Sequence, residues 1–204
     1  MIRGALILGG AGAVCKVLGM VYRILLGNIL GTQGMGNYQL AYSVYSMLLV
    51  AASGGMPAAL SAVVARRFAK ADPQGAFEYL QASRKMMGIL GAAFGFLLYA
   101  FSGLLARWMG MEAVENVLRA AAPAVFFVAV TSAYRGFYQG AQEMLPSALS
   151  QICEQVVKIA AGIYFSSHFV HKGDAYGAMG AMLGVTLSEG IGLLTVQAFG
   201  KGWP

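Results

Sequence analysis

The chain has 204 residues, of which 58% are hydrophobic and 11% are charged. Soluble domains are typically about 45–50% apolar, so this composition excludes an ordinary soluble protein and indicates a membrane protein. The net charge of +6 does not indicate nucleic-acid binding, because the basic residues cluster in segments that flank long apolar runs. Cys15 and Cys153 lie inside apolar runs, so we expect packed thiols and no disulfide.

Six apolar runs are long enough to cross a bilayer, which requires about 20 residues in a helix. They cover residues 5–30, 38–65, 86–106, 117–140, 147–169 and 176–199. The first run contains charges and is longer than a signal peptide's apolar region, so we expect it to remain as a span. The sequence therefore predicts an all-α, polytopic membrane protein whose six transmembrane helices form a single bundle over residues 1–204.

Basic residues are unevenly distributed between the two ends of the predicted helices. One end carries 8 of them and the other end carries 3. The larger group is Arg3, Arg66, Arg67, Lys70, Arg84, Lys85, Arg135 and Lys201, and the smaller group is Arg107, Arg119 and Lys172. Because positively charged segments resist translocation, the sequence predicts that both chain termini are cytoplasmic.

The first predicted helix carries a stripe of small and cationic residues at steps of three and four. Its members are Gly12, Lys16, Gly19, Arg23 and Gly27. Positions with this spacing share one face of a helix. We therefore do not expect this face to contact lipid.

The second predicted helix contains the sequence Ser53-Gly54-Gly55-Met56-Pro57 near its middle. Pro57 removes a backbone donor and the glycines loosen the preceding turn, so a kink or an unwound turn is predicted there. Irregular backbone at membrane depth is tolerated only against protein or a wet cavity. Two interpretations remain open, a packing kink and a functional hinge at Gly54, Gly55 and Pro57.

The segment between the second and third predicted spans, residues 66–85, is rich in basic residues. It also contains Asp72-Pro73 and the amphipathic sequence FEYLQ. We expect a short interfacial helix there, with charges that set the topology and contact anionic lipids.

Two helices on either side of Pro146 each carry a polar stripe. Before the proline the stripe consists of Thr131, Ser132, Arg135, Tyr138, Gln139 and Gln142. After the proline it consists of Ser147, Gln151, Glu154, Gln155 and Lys158. Each set recurs at helical spacing and therefore lies on one face. We expect these faces to form one wall of a cavity.

Five ionisable residues lie inside predicted spans: Lys16, Arg23, Glu154, Lys158 and Glu189. A charge near the bilayer centre costs about 2.5–3.5 kcal/mol on insertion scales, so such residues are candidates for a binding site or a pathway. Glu154 and Lys158 are four residues apart and can pair, and Glu189 can neutralise Lys16 or Arg23. One cation is then left over, which favours an anionic group in a central cavity. A purely structural charge network is the alternative.

The sequence shows no nucleophile and base pair, no cluster of metal ligands and no carboxylate dyad on one helix. We therefore expect no catalytic residues, no metal site and no cofactor. Coupling to the membrane potential or to a cation stays open. We interpret the chain as part of a transporter and not as an enzyme.

Four segments carry a resemblance to a known family: KVLGMVYR, GTQGMGNYQLAYSVYS, SGGMP and RGFYQGAQEMLPSALSQICEQVVK. The chain resembles the polysaccharide biosynthesis flippases of the multidrug/oligosaccharidyl-lipid/polysaccharide exporter superfamily, in the branch of stage V sporulation protein B and MurJ-like lipid II flippases. The resemblance implies a MATE-like transporter with two six-helix lobes, of which this chain is the N-terminal lobe. Either the chain is a fragment, or two copies associate.

The resemblance also implies roles for individual residues. Lys16 and Arg23 match cavity-facing cations of the family's first helix that meet a lipid-linked pyrophosphate. The arginine that some members carry near residues 53–57 is absent here. Six further residues match the signature of the branch: Arg135, Gln139, Gln151, Glu154, Gln155 and Lys158. The resemblance leaves two roles open for them, contact with substrate and packing of the bundle.

Three hypotheses about function follow. The first is half of a flippase that moves an undecaprenyl-pyrophosphate-linked sugar precursor across the cytoplasmic membrane, with Lys16, Arg23 and Lys158 on the anionic head group. The second is an ion-coupled exporter of amphiphilic cations with Glu154 and Glu189 as ion sites. The third is a non-transporting membrane module, which would lack a cavity and pair its cations fully. The expected partners are membrane lipids, the lipid-linked oligosaccharide, and a second lobe or copy.

Overall fold

The computed structural model describes residues 2–200, without the side chains of residues 2, 3 and 5. Every regular element in this range is helical. The α-helices are α1 (Ile2–Ser53), α2 (Met56–Ala69), α3 (Pro73–Trp108), α4 (Glu115–Gly140), α5 (Leu145–Phe169) and α6 (Asp174–Gly200). The all-α prediction is confirmed for this range. Lys201 and the Arg3 side chain, which entered the topology prediction, lie outside the described residues.

Four helical stretches within residues 2–200 are long and apolar enough to cross a membrane. They are Leu6–Ala69, Pro73–Trp108, Glu112–Gly140 and Asp174–Gly200. Helix α5 is not one of them, because its glutamines and charged residues lower its mean hydropathy. The structure thus has the apolar helices of a multi-pass membrane protein, with one helix markedly more polar than its neighbours.

Helix α1 reverses direction at a single residue, Gly31. A continuous helix would separate Tyr22 from Tyr38 by about 24 Å at 1.5 Å per residue. Their ring centroids are 6.5 Å apart, so α1 consists of two antiparallel arms, residues 2–30 and 32–53. Gly31 has φ 64° and ψ −171°, a conformation that is essentially restricted to glycine. The predicted spans 5–30 and 38–65 leave residues 31–37 outside any helix, whereas residues 32–37 are helical in the structure.

Replacing Gly31 by alanine is expected to destabilise the protein by about 1–3 kcal/mol, because a Cβ is strained at this φ and ψ. Thermal unfolding of the purified protein in detergent measures the effect. Gly36→Ala is the matched control, since Gly36 has no positive φ and a Cβ there meets open space. The control gains helix propensity and should be neutral or slightly stabilising. Equal stability of the two variants would contradict the proposed strain.

A break separates α1 from α2 at residues 54–55. Gly55 has φ 82° and ψ −17°, which is the left-handed region. Pro57 lies in the first turn of α2, where a missing backbone N–H removes no helical hydrogen bond. The predicted unwound turn is therefore confirmed, and it interrupts the helix that had been predicted to span residues 38–65.

Helix α2 packs closely on α4 through two glycines. A Cβ on Gly136 would lie 2.9 Å from the Cα of Pro57. A Cβ on Gly140 would lie 2.6 Å from the carbonyl oxygen of Ser61. Neither distance leaves room for a side chain, so α2 is held against α4 while the break at residues 54–55 separates it from α1.

Helix α3 begins at Pro73 and is capped by Asp72. The Gly75 N–H donates to the Asp72 carboxylate over 2.8 Å, and Arg67 forms a 2.8 Å salt bridge with it. These two contacts, the Gly75 hydrogen bond first, lower the pKa of Asp72. The prediction of a separate interfacial helix within residues 66–85 is wrong, because residues 73–85 form the first turns of the 36-residue α3.

The centre of the bundle is α4, most of which is buried from Val117 to Gly140. Helix α3 packs on one side of it and α6 on another, while α5 packs mainly on α6 and α1. The closest approach is between α5 and α6, where Gly184 lies directly against the backbone of Gly162. This arrangement places α5 beside the two arms of α1.

Candidate functional site

A cavity of about 410 Å³ lies between the two arms of α1 and α5. Its lining residues are Lys16, Gly19, Met20, Tyr22, Arg23, Tyr38, Tyr42 and Lys158. Three of these are cationic and none is acidic. We call this space the cationic cavity.

The structure brings together the three residues that the sequence analysis assigned to an anionic head group. Lys16 and Arg23 lie seven residues apart on the first arm of α1, on the stripe that also contains Gly19. Both are exposed, and Lys158 on α5 is half-buried. The Lys158 ammonium lies 5.9 Å from the centre of the Tyr22 ring. Two helices that are remote in sequence thus place three cations around one space.

Within the part of the chain that the structure describes, these cations have no acidic partner in contact. Among the described side chains, the salt bridges join Arg67 to Asp72, Arg119 to Glu115 and Arg135 to Glu154. None of them involves a residue of the cationic cavity. A cavity with unneutralised cations is the opposite of what the hypothesis of a non-transporting module expects.

Glu154 pairs with Arg135 on α4 and not with Lys158, so the predicted pair within α5 is wrong. The Arg135 Nη2 to Glu154 Oε1 distance is 2.5 Å, and Arg135 also donates to the Ser150 hydroxyl over 3.0 Å and 3.3 Å. Ser150 and Glu154 are one helical turn apart, so a planar guanidinium reaches both. The two charged side chains are only 19% and 11% exposed. This contact ties α4 to α5.

Glu189 on α6 is half-buried and does not line the cationic cavity. It interacts electrostatically with Glu154, Arg135 and Lys158. The predicted neutralisation of Lys16 or Arg23 by Glu189 is wrong, since neither forms a salt bridge with it in the structure. Among the lining residues of the cavity, the carboxylate interacts electrostatically with Lys158 and Tyr42.

The remaining predicted wall residues, Gln139, Gln151 and Gln155, are half-buried and lie outside the lining of the cationic cavity. The Gln155 Oε1 atom is buried without a hydrogen-bond partner among the described residues. Of the predicted wall residues, Arg135 and Glu154 thus join α4 to α5 and do not line the cationic cavity.

Three tyrosines, Tyr22, Tyr38 and Tyr42, line the cavity without having been predicted from the sequence. Tyr38 and Tyr42 stack with centroids 5.8 Å apart, and the Tyr22 hydroxyl donates to the Ala181 carbonyl over 3.4 Å. The available signal was that Tyr22 directly precedes Arg23 and that Tyr38 and Tyr42 are one turn apart. Their rings add aromatic surface to the lining, and the Tyr22 ring lies next to the Lys158 ammonium.

The cavity can bind an anion with two ammonium groups and one guanidinium. Charge-assisted hydrogen bonds to such groups are short and about twice as strong as neutral ones, and guanidinium binds phosphate oxygens in a bidentate manner. Within residues 2–200 there is no group of three or more His, Cys, Asp or Glu side chains that could hold a metal ion. The arrangement favours recognition of an anionic group.

Comparison with known proteins shows extended similarity. The family model described as "Polysaccharide biosynthesis protein" matches residues 1–202. Stage V sporulation protein B of Bacillus subtilis (strain 168) is 34% identical over 194 residues, which are 95% of this chain and 38% of that protein. The lipid II flippase MurJ of the same organism is 32% identical over 168 residues, 78% of this chain and 31% of that protein.

Two solved structures share the fold. One is a MATE in the straight conformation, with a TM-score of 0.77, 15% identity, and coverage of 98% of this chain and 46% of that chain. The other is an outward-facing multidrug resistance MATE family transporter of the MOP superfamily, with a TM-score of 0.77, 15% identity, and coverage of 97% and 46%. The chain thus spans less than half the length of each relative and structure.

Proposed function

The chain belongs to the polysaccharide biosynthesis protein family, and from that membership we propose that it is the N-terminal lobe of a flippase. The proposed substrate is an undecaprenyl-pyrophosphate-linked precursor of cell wall or polysaccharide, similar to lipid II. The cationic cavity is the observation that supports this most strongly. The similarity of the chain to stage V sporulation protein B and to the lipid II flippase MurJ supports the same class of substrate.

The charges of the cavity match those of a pyrophosphate linkage. Lys16, Arg23 and Lys158 supply three positive charges, and no acidic side chain of the described residues lines the same space. In a partly desolvated site, opposite charges attract more strongly than in water. The sugar head group would cross through the polar cavity while the polyprenyl tail stays in the bilayer.

The proposed topology has six crossings of the cytoplasmic membrane and both termini in the cytoplasm. Helix α5 crosses despite its polarity because it packs on α1 and α6. The flippase would be completed by a second lobe, or by a second copy of the chain. Alternating access would use the break at Gly54, Gly55 and Pro57 as a hinge, driven by the membrane potential or a cation.

One observation favours the second candidate function, an ion-coupled exporter of amphiphilic cations. Glu189 is a half-buried carboxylate that forms no salt bridge with a described residue, so it is available as an ion site. Glu154, the other acidic residue that this function needs, is occupied by Arg135. The cationic lining of the cavity would also repel a cationic substrate, so this candidate ranks second.

Reconstitution of the full-length protein in liposomes tests the two functions side by side. One set of vesicles receives a labelled undecaprenyl-pyrophosphate-linked disaccharide, and another receives a fluorescent amphiphilic cation. We expect translocation of the anionic lipid above the rate in protein-free vesicles, and no transport of the cation. Cation transport that is abolished by Glu189→Gln and unaffected by Arg23→Ala would reverse the ranking.

A further inference from the structure

A second cavity, of about 260 Å³, lies where α3, α4 and α6 meet. Its lining residues are Phe77, Leu80, Gln81, Arg84, Tyr134, Gln197 and Gly200. We call it the terminal cavity, because it lies near the start of α3 and the last turn of α6. The adjoining ends of α2 and α3 carry Arg66, Arg67, Lys70 and Lys85.

The polar groups of the terminal cavity are suited to bind an oxyanion. Arg84 Nη1 donates to the Tyr134 hydroxyl over 3.0 Å, which fixes the guanidinium while its other N–H groups stay accessible. Gln81 and Gln197 add amide donors from α3 and α6. Among residues 2–200, no carboxylate lines the space. A set of donors around one cation fits a phosphate group.

An apolar groove of about 500 Å³ lies further along α6. It is lined by Phe127, Phe165, Leu183, Thr186, Leu187, Gly190, Ile191, Leu193 and Leu194. The hydroxyl of Thr186 donates to the Ala120 carbonyl over 2.6 Å, so the groove offers no unpaired donor. Leu187 is 47% exposed and Leu194 is 61% exposed. The groove is therefore open on its outer side, where lipid would lie.

The terminal cavity and the groove are aligned on one face of α6. Leu183, Leu187, Gly190, Leu194 and Gln197 follow one another at steps of three and four residues. From Leu183 to Gln197 the helix rises about 21 Å at 1.5 Å per residue. One leaflet of the hydrocarbon core is about 15 Å thick, so the groove is long enough for an acyl chain.

We propose that this face binds one anionic phospholipid, with the phosphate in the terminal cavity and an acyl chain along the groove. The donor set selects for negative charge, and the apolar groove selects for a lipid over a soluble phosphate. Arg66, Arg67 and Lys70, at the adjoining end of α2, would attract the same head groups from the membrane surface. This site is separate from the cationic cavity and does not depend on the transported substrate.

Native mass spectrometry of the full-length protein in detergent tests the site, with dioleoyl phosphatidylglycerol, dioleoyl phosphatidylcholine and soluble glycerol phosphate as probes. We expect one phosphatidylglycerol to be retained in preference to phosphatidylcholine, and glycerol phosphate not to displace it. Arg84→Gln should lower the affinity for phosphatidylglycerol about tenfold or more, because it removes the charged donor. Lys85→Gln is the matched control and should leave the affinity unchanged, since Lys85 does not line the cavity.

A second variant tests the groove on its own. Gly190→Leu places a side chain in the groove, and its Cβ would meet Phe127 at an ordinary 3.7 Å, so folding should persist. It should weaken binding of the dioleoyl lipid and spare a dihexanoyl one. Equal losses for Arg84→Gln and Lys85→Gln, no preference over phosphatidylcholine, or full displacement by glycerol phosphate would each overturn the proposal.

Discussion

Replacement of Arg23 by alanine in the full-length protein is expected to abolish detectable translocation of the labelled pyrophosphate-linked precursor without loss of membrane insertion. Arg23 is exposed to the cationic cavity, and the structure gives it no salt-bridge partner among the described residues. Its removal should therefore weaken binding of the precursor and change the stability of the protein little. A hydrogen bond to a charged group contributes about 1.5–3 kcal/mol, which corresponds to a loss of about 10- to 150-fold per contact.

Two further variants separate charge from geometry in this experiment. Arg23→Lys keeps the charge and removes the bidentate fork, so an intermediate rate is expected. Arg107→Ala removes an exposed arginine from the end of α3, outside the cavity, and should transport normally. Normal appearance of the precursor in the outer leaflet with Arg23→Ala would contradict the role of Arg23 in the proposed flippase.

Arg135→Ala is expected to destabilise the protein by about 3–5 kcal/mol, the largest loss of stability that the structure predicts for a single polar residue. The substitution leaves the Glu154 carboxylate, which is 11% exposed, without its cation. It also removes the hydrogen bonds to Ser150. Breaking one side of a buried ion pair leaves an uncompensated charge, which is far more costly than losing a surface pair. Thermal unfolding in detergent measures the loss.

One control for this prediction uses a more exposed ion pair, and another removes both members of the buried pair. Arg119→Ala breaks a pair with Glu115 whose side chains are 45% and 31% exposed, and such pairs contribute about 0–1 kcal/mol. The double variant Arg135→Met with Glu154→Leu removes both buried charges and should recover most of the stability. If Arg135→Ala and Arg119→Ala lose equal stability, the Arg135–Glu154 salt bridge does not have the predicted stabilising role.

The parts of the site that could be predicted from the sequence are those fixed by helix geometry alone. Lys16 and Arg23 share a face because they are seven residues apart, and that face does line a cavity. The break near Pro57 follows from the missing backbone donor and the adjacent glycines. Lys158 was assigned to the same site because its expected depth in the membrane matches that of Lys16. Each of these inferences needs only one helix at a time.

Two of the differences from the prediction involve a contact between helices and a single backbone angle. The i, i+4 rule made Lys158 the obvious partner of Glu154, whereas the actual partner, Arg135, lies on the neighbouring helix. Residues 31–37 have the glycine-rich composition of a loop, yet Gly31 alone makes the reversal. With 28 glycines in the chain, no sequence signal distinguishes this one. The side-chain environment of Gln139, Gln151 and Gln155 likewise depends on packing.

The polarity of α5 has a consequence for biosynthesis. In the proposed topology, Glu154 and Lys158 must enter the bilayer, at about 2.5–3.5 kcal/mol for each charge near its centre. The chain emerges from the ribosome with α4 ahead of α5, so Arg135 is already present when Glu154 follows. We expect the two helices to insert together as a hairpin, in which Arg135 on α4 neutralises Glu154 on α5 as α5 enters the bilayer. The same salt bridge would then first assist membrane integration and later support the finished bundle.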